Sequence, residues 1–527
     1  MTNPILSKLK LTKPKKSTST ELWIAEDNFL HLKVMYLPVR DAETLTVVLN
    51  EKQARWFGIT ASDKISITKS NWEQLVTNVV VSSKIWVEYI WIYENILDRF
   101  PLEKNEVVAV ELAESSSIAN DAIRKKMKWE PISYEEMYAI IKDISEWKLS
   151  EVMMTYYVAS SFFYPTTDEE MYQTAKAMAE CGVMFKYPEW EIIADKHCIG
   201  WVPGNETTMI MIPTLASLGI KMPKNFSKAI TSPAATGECV NVLMDINFDK
   251  AGIEKLINDV NCCLVWGWWL DLAPADDKII KVQYPLAMQS RAKVVSSIMA
   301  KKYAMWVTHS LIDIPVWPTA KVTTMEEALD WKQKFQYVGK KLWMKMTIQI
   351  TPANEVIGNW VGAILQVREV LRVLQQHQNR PKDLEAKAMF LTWKIIEIVW
   401  LAKGKEAEKL ARKQLESWAA RKMMQKIIKA QNGNPNISSE DLKPGIFTKE
   451  VLADTAGKIR KVDLHNVNQI CRRLWCPAIN EAWIYLSKRL WDKVKVWDVL
   501  FTMYSTSENK IELALQQQKD KPAMIIG

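Results

Sequence analysis

The densest chemistry in this 527-residue chain sits in fourteen consecutive residues, Asp195-Lys196-His197-Cys198-Ile199-Gly200-Trp201-Val202-Pro203-Gly204-Asn205-Glu206-Thr207-Thr208. A β-like run ends at Asp195; a cation, an imidazole and a thiol follow, and a turn-rich loop then enters a helix at two threonines. Backbone N–H groups of such a loop, a helix N-terminus and a lysine together form a cradle for an anion. The spacing matches neither GxxxxGK[ST] nor GxGxxG, so P-loop triphosphate and Rossmann dinucleotide chemistry do not fit. Taken singly, His197 reads as a structural histidine and Lys196 as a solvated cation. It is the whole run that points to an anion.

Composition excludes several other chemistries. The seven cysteines form no CxxC pair and the five histidines are scattered. The thiols read as reduced in a cytoplasmic protein, with neither a disulfide framework nor a metal site. No stretch reaches the ~18 uncharged apolar residues of a membrane span, and no apolar region marks a secretion signal. Lys and Arg number 69 against 61 Asp and Glu, a formal charge of +8. Residues 1–20 hold five lysines and no acid, which leaves +3 on the other 507. The basic excess is a local arm, and nucleic acid is not an expected partner.

The elements that must carry the anion run are legible in outline. Short β-rich runs at 32–35, 46–49, 64–68 and 107–110 predict a small β-barrel-like module. Near Ala119 the period turns helical, over 120–128, 133–147, 149–163 and 167–181, with Ser133 and Glu136 spaced as a capping box. Strands at 192–194, 263–266, 310–314 and 345–350 then alternate with helices, one near 207–218, and predict an α/β layer on a buried sheet. A long helical stretch is expected over 383–430, a turn at Asn432-Gly433-Asn434-Pro435, and short strands and hairpins over 449–511. The fold class is therefore multidomain α/β. A flexible basic arm (1–27) and an N-terminal β-rich module (28–115) precede an all-helical domain (116–182, with a return segment near 265–302). An α/β phosphate-binding domain (183–264 and 303–435) and a C-terminal α+β module (445–512) follow.

Several ordered segments carry a family resemblance. They are the run 195–208, then Ser227-Lys228-Ala229-Ile230-Thr231-Ser232-Pro233-Ala234-Ala235-Thr236, then Val265-Trp266-Gly267 with Leu272-Ala273-Pro274-Ala275-Asp276-Asp277. Ser297-Ile298-Met299-Ala300-Lys301-Lys302 and Thr308-His309 with Ile312-Asp313-Ile314-Pro315-Val316 continue the series. Together they resemble the signature blocks of the thymidine and AMP phosphorylase family, over roughly residues 30–510. The N-terminal module resembles that of the AMP phosphorylase and type 2 thymidine phosphorylase branch.

The resemblance implies a pentosyltransferase in which inorganic phosphate attacks C1′ of a nucleoside and expels the base. Such chemistry needs cations and donors that hold phosphate in line, and a proton or dipole that meets charge developing on the base. By position, phosphate falls to Lys196, Cys198, Gly200, Trp201, Thr207, Thr208, Ser227 and Thr236. Lys196 and His197 form the catalytic pair; an imidazole with an ordinary pKa near ~6.5 suits a general acid or an electrostatic partner of the base. Base recognition falls to Ser297 and Lys301, one helical turn apart. Lys293 could hold a nucleotide 5′-phosphate, and Gln283 stands where bacterial pyrimidine phosphorylases place an arginine. Asp276-Asp277 reads as a helix-capping or loop pair. No cofactor is implied.

The favoured substrate reading is thymidine, giving thymine and 2-deoxyribose 1-phosphate, a cytoplasmic step of pyrimidine salvage. Cys198 and Pro318-Thr319-Ala320-Lys321-Val322 resemble the type 2 thymidine branch. The alternative is an AMP phosphorylase that converts a nucleoside 5′-monophosphate to base and ribose 1,5-bisphosphate, which Gln283 and the N-terminal module favour. A third reading, a non-catalytic RNA-binding or scaffold protein, would use the lysine arm and a basic helix at 403–429. The resemblance also implies a homodimer through the helical domain or a larger homo-oligomer, and closure between a phosphate-binding and a base-binding domain.

One composition figure is abnormal. Glycine numbers 16 and tryptophan 24, so glycine is roughly 3% against a usual ~7%. Where the family pattern has glycine, this chain has Trp201, Trp268, Trp306, Trp317, Trp343, Trp360, Trp475, Trp483, Trp491 and Trp497. Leu490-Trp491-Asp492 and Val496-Trp497-Asp498 stand where Gly-Asp would make tight turns with φ > 0. The expectation is that the source reads UGA as glycine, and that an indole at position 201 would obstruct the anion loop.

Overall fold

The computed structural model describes residues 29–40, 45–61, 63–113, 115–163, 165–200, 202–226, 234–267, 269–283, 290–443 and 445–527. Trp201, Ser227, Trp268 and the basic arm lie outside the described residues. The chain divides into two compact units, Met1–Tyr164 with Lys278–Leu286, and Pro165–Asp277 with Ala287–Gly527.

In the first unit six strands close a barrel in the order Leu30–Leu37, Tyr89–Tyr93, Thr46–Asn50, Gln74–Ser82, Lys64–Thr68, Val107–Leu112. Period-two alternation builds it: Leu30, Leu32 and Val34 are buried, while Lys33 between them is exposed. Val108 and Val110 repeat the pattern on the strand that closes the ring. Helices Ser117–Met127, Tyr134–Ser145 and Glu151–Phe163 follow. Ser133 and Glu136 form the capping box the sequence predicts.

The second unit holds a three-stranded parallel sheet, with His309–Val316 between Lys345–Pro352 and Ala194–Cys198. An Ile193–Lys221 bridge extends it in parallel to Met222–Phe226, which pairs with Cys262–Trp266. Buried helices cover these strands; every residue of Thr207–Ala216 is buried. This is the expected α/β layer on a buried sheet.

The long helical stretch expected over 383–430 is helical and consists of three helices, Lys382–Ile398, Gly404–Glu416 and Ala419–Ala430. The breaks fall at Trp400 and Trp418, both in the left-handed region with φ of 58° and 66°, a conformation that stops an α-helix. The basic helix at 403–429 is accordingly two helices. In the C-terminal part an antiparallel sheet runs Trp360–Val361, Trp483–Leu486, Val499–Ser505, Phe447–Leu452. A second small sheet pairs Gly457–Val462 with Lys493–Val494 and Met524–Ile526, so chain beyond residue 512 belongs to this α+β arrangement. Among the described residues no helix is long and apolar enough to cross a membrane.

Candidate active site

Strands buried on both faces of a parallel sheet ordinarily read as apolar runs. The strand Ala194–Cys198 reads Ala-Asp-Lys-His-Cys, and its Asp195 and Lys196 are almost wholly buried. Ligands of open α/β sheets bind beyond the carboxyl ends of the strands, and here that end runs into Gly200. Gly200 has φ of 98°, and a Cβ added there would meet nothing within 4 Å. The backbone at this point is open to an approaching group.

Two aspartates hold the surrounding cations. Asp195 accepts from Lys224 Nζ at 3.2 Å and from Lys302 Nζ. Burial pushes its pKa up, but Lys224 and Lys302 outweigh burial and hold it below the ordinary aspartate value. Asp313 lies opposite Cys198 in the sheet register and accepts from Thr351 Oγ1 at 2.6 Å, with Lys387 Nζ 3.2 Å away. It too stays below its ordinary value, because Lys387 and Lys196 overcome its burial. Lys196 donates to Thr207 Oγ1 at 3.0 Å. Burial lowers the Lys196 pKa, and it pushes Lys224 and Lys321 down to about 8. Four lysines, 196, 224, 302 and 387, thus face two aspartates, with Lys321 near Cys198. Cations held below their ordinary pKa regain their charge when an anion arrives.

The remaining polar groups at the strand end have their ionised forms disfavoured by burial. Burial raises the Cys198 thiol to about 11, with Asp313 adding to the effect. Its sulfur takes the Asn205 amide at 3.2 Å. Glu206, buried, is pushed up to about 7, Lys196 opposing only in part. It bonds the Gln366 amide at 3.1 Å and the Thr236 hydroxyl. Thr236 opens the helix Thr236–Leu243, so Glu206 ties the second predicted phosphate segment to the first. Thr207 and Thr208 begin the helix after the loop and are both buried.

His197 departs from expectation. It is half-buried, and burial followed by Lys302, Lys224, Lys196 and Lys301 drives its pKa well below the usual histidine value. It is a neutral imidazole, and any protonated role requires an added negative charge nearby.

The predicted base residues converge on one carboxylate. Asp276 Oδ2 accepts from Ser297 Oγ at 2.6 Å and from Lys301 Nζ at 2.7 Å, and it is buried. Burial works against the Lys301 charge, yet Asp276 and Asp277 raise its pKa above the ordinary lysine value. Lys293, buried on the same helix Arg291–Ala304, is pushed down to about 7 despite Asp276. Asp276 therefore does more than cap a helix. Gln283, also buried, falls in the first unit. Sequence reasoning assigned no role to Asp195, Lys224, Lys302, Lys321, Asp313, Lys387 and Glu206. Charged residues embedded in apolar strands, such as Lys224 in Met222–Phe226 and Asp313 in His309–Val316, are the signal that could have found them.

Comparison with known proteins gives the family. The chain is 33% identical over 498 residues, 94% of its own length and 95% of the relative's, to an AMP phosphorylase of Thermofilum pendens. It is 32% identical over the same share of both chains to that of Natronomonas pharaonis. The chain belongs to the thymidine and AMP phosphorylase family. A Bradyrhizobium diazoefficiens protein named "Putative thymidine phosphorylase" is 35% identical over 75% of this chain and 76% of its own. No protein-family model matches. Among solved structures, the anthranilate phosphoribosyltransferase of Thermus thermophilus superposes with a TM-score of 0.49 at 13% identity, covering 59% of this chain and all of that one. The relatives make the chain a phosphorylase-type glycosyltransferase.

Proposed function

We propose that this phosphorylase acts on a nucleoside 5′-monophosphate, with AMP as the type substrate, giving free base and ribose 1,5-bisphosphate. The carrying observation is the extent of likeness. Relatives named AMP phosphorylase align along 91–94% of this chain, too much to leave out the N-terminal barrel. Those named for thymidine align along 75–79%. A neutral nucleoside needs only the cations for inorganic phosphate; a nucleotide brings a second phosphate to neutralise.

In this reading a phosphate oxygen attacks C1′ as the glycosidic C–N bond breaks, and the bonding pair leaves on the base nitrogen. Lys196, the Thr207 and Thr236 hydroxyls and the open backbone at Gly200 hold the nucleophilic phosphate in line. His197 meets the departing base first as a neutral hydrogen-bond donor. The bound dianion offsets the fields of Lys196, Lys224 and Lys302 and raises the imidazole pKa, so the proton is available only when phosphate is present. Ser297 and Lys301, fixed by Asp276, contact the base.

Thymidine is the second reading. Cys198 and the segment 318–322 favour it, as does the 35% identity to relatives of that name. Base release from AMP, CMP, UMP, uridine and thymidine, each with and without phosphate, separates the two. Phosphate-dependent release from a monophosphate with formation of ribose 1,5-bisphosphate is expected. Release from thymidine alone would overturn the proposal.

A further inference from the structure

We propose that the protein made by its source carries glycine at ten positions read as tryptophan, through UGA codons translated as glycine. Sixteen non-glycine residues among those described have positive φ, and ten are tryptophans: 72, 129, 147, 306, 343, 400, 418, 475, 491 and 497. The other six are Glu88, Asn105, Asn261, Asp271, Gln376 and Asn432. Asn and Asp enter the left-handed region because a short polar side chain can bond the local backbone. An indole has no such compensation and its Cβ meets the following carbonyl. Tryptophan has no physical reason to dominate this conformation; glycine does.

Position repeats the argument independently. Trp129, Trp147, Trp306, Trp343, Trp400 and Trp475 each stand one residue past the C-cap of a helix. Each closes the same pair of bonds, as in Trp129 N–H to Lys126 O at 3.1 Å and Glu130 N–H to Lys125 O at 3.0 Å. This is the helix stop in which a left-handed glycine is the usual residue. The protein itself supplies the comparison: the helix Glu51–Trp56 ends in the same bonds, Gly58 N–H to Arg55 O and Ile59 N–H to Ala54 O, with glycine in place. Trp418 stands at a seventh helix end, and Trp491 and Trp497 are third in the turns 489–492 and 495–498. Trp72 closes the 69–72 turn of the hairpin between Lys64–Thr68 and Gln74–Ser82. Five of the ten, Trp72, Trp129, Trp147, Trp400 and Trp418, carry no family motif and are found by backbone conformation alone. Trp317, Trp360 and Trp483 are not among the positive-φ residues, so conformation makes no claim on them.

Tryptophans inside helices serve as controls. Trp331 is buried against Phe335 and Trp393 lies in mid-helix; neither position asks for glycine, and both should be true tryptophan at UGG. Peptide mass spectra of the protein purified from its source are the test. Glycine at 129, 147, 306, 343, 400 and 475 with tryptophan at 331 and 393 is expected; tryptophan at the six helix stops would overturn the proposal. In a standard host, the chain with Trp→Gly at those six should unfold several degrees higher than the chain with tryptophan. An equal or lower midpoint would contradict the strain argument.

Discussion

The ammonium of Lys196 donates to the hydroxyl of Thr207 at 3.0 Å, which pins the strand of the sheet to the first residue of the helix that follows the loop. The bond fixes both ends of the loop in which the proposed phosphate cradle lies. A hydrogen bond to a charged group contributes about 1.5–3 kcal/mol. Thr207→Val keeps the shape and removes the acceptor, so phosphate KM should rise by roughly tenfold or more with the nucleotide KM little changed. Steady-state kinetics with each substrate varied in turn would show the split, and an unchanged phosphate KM would count against the cradle.

Asp276 should behave differently. It holds Ser297 and Lys301 together, so Asp276→Asn weakens both contacts and leaves the Lys301 ammonium with Asp277 as a more distant acidic neighbour. Removing one member of a buried pair costs about 3–5 kcal/mol. A lower unfolding midpoint and a raised KM for the base-bearing substrate are expected, with phosphate binding retained. If phosphate affinity fell equally, Asp276 would belong to the anion site.

The depressed lysines set a pH limit. Burial pushes Lys224 and Lys321 down to about 8, so in the free protein they lose charge as pH rises through that value. Anion binding favours their charged form. Phosphate affinity should therefore hold below pH 8 and fall above it. Calorimetric titration from pH 7 to 9.5 in two buffers of different ionisation enthalpy should also report proton uptake on binding above pH 8. Flat affinity across that range would mean these cations do not face the ligand.

His197 yields a prediction by absence. Its pKa in the free protein lies well below the usual value, so kcat/KM should show no inflection near ~6.5 from this residue. His197→Ala should lower kcat by about 10²–10⁴, the range of general acid–base contributions. An inflection near 6.5 that disappears in the variant would show the imidazole to be ordinarily basic.

Much of this could be read from the sequence because it rests on local pattern. The Ser133–Glu136 capping box and the alternation of Leu30, Leu32 and Val34 need only a few neighbouring residues to be recognised. The strand Ala194–Cys198 announces itself by charge in a place that should be apolar. What was hidden depends on distant contacts. Asp276 reads as a cap because Ser297 and Lys301 lie more than twenty residues away, and the low pKa of His197 arises from burial and then from Lys302, Lys224 and Lys301 on other elements. The breaks in the helical stretch after Lys382 were hidden for another reason. Trp400 and Trp418 occupy helix stops, and tryptophan carries no stop signal.

Titration of inorganic phosphate into the protein purified from its source, and into a Lys196→Ala variant of the same protein, tests the account most directly. Saturable binding is predicted for the natural chain, with loss of about a hundredfold or more in the variant, since a buried charge-assisted contact at the centre of the cradle disappears. Circular dichroism should report the same fold in both. Equal phosphate affinity in the two proteins would contradict the assignment of the strand Ala194–Cys198 as the phosphate site.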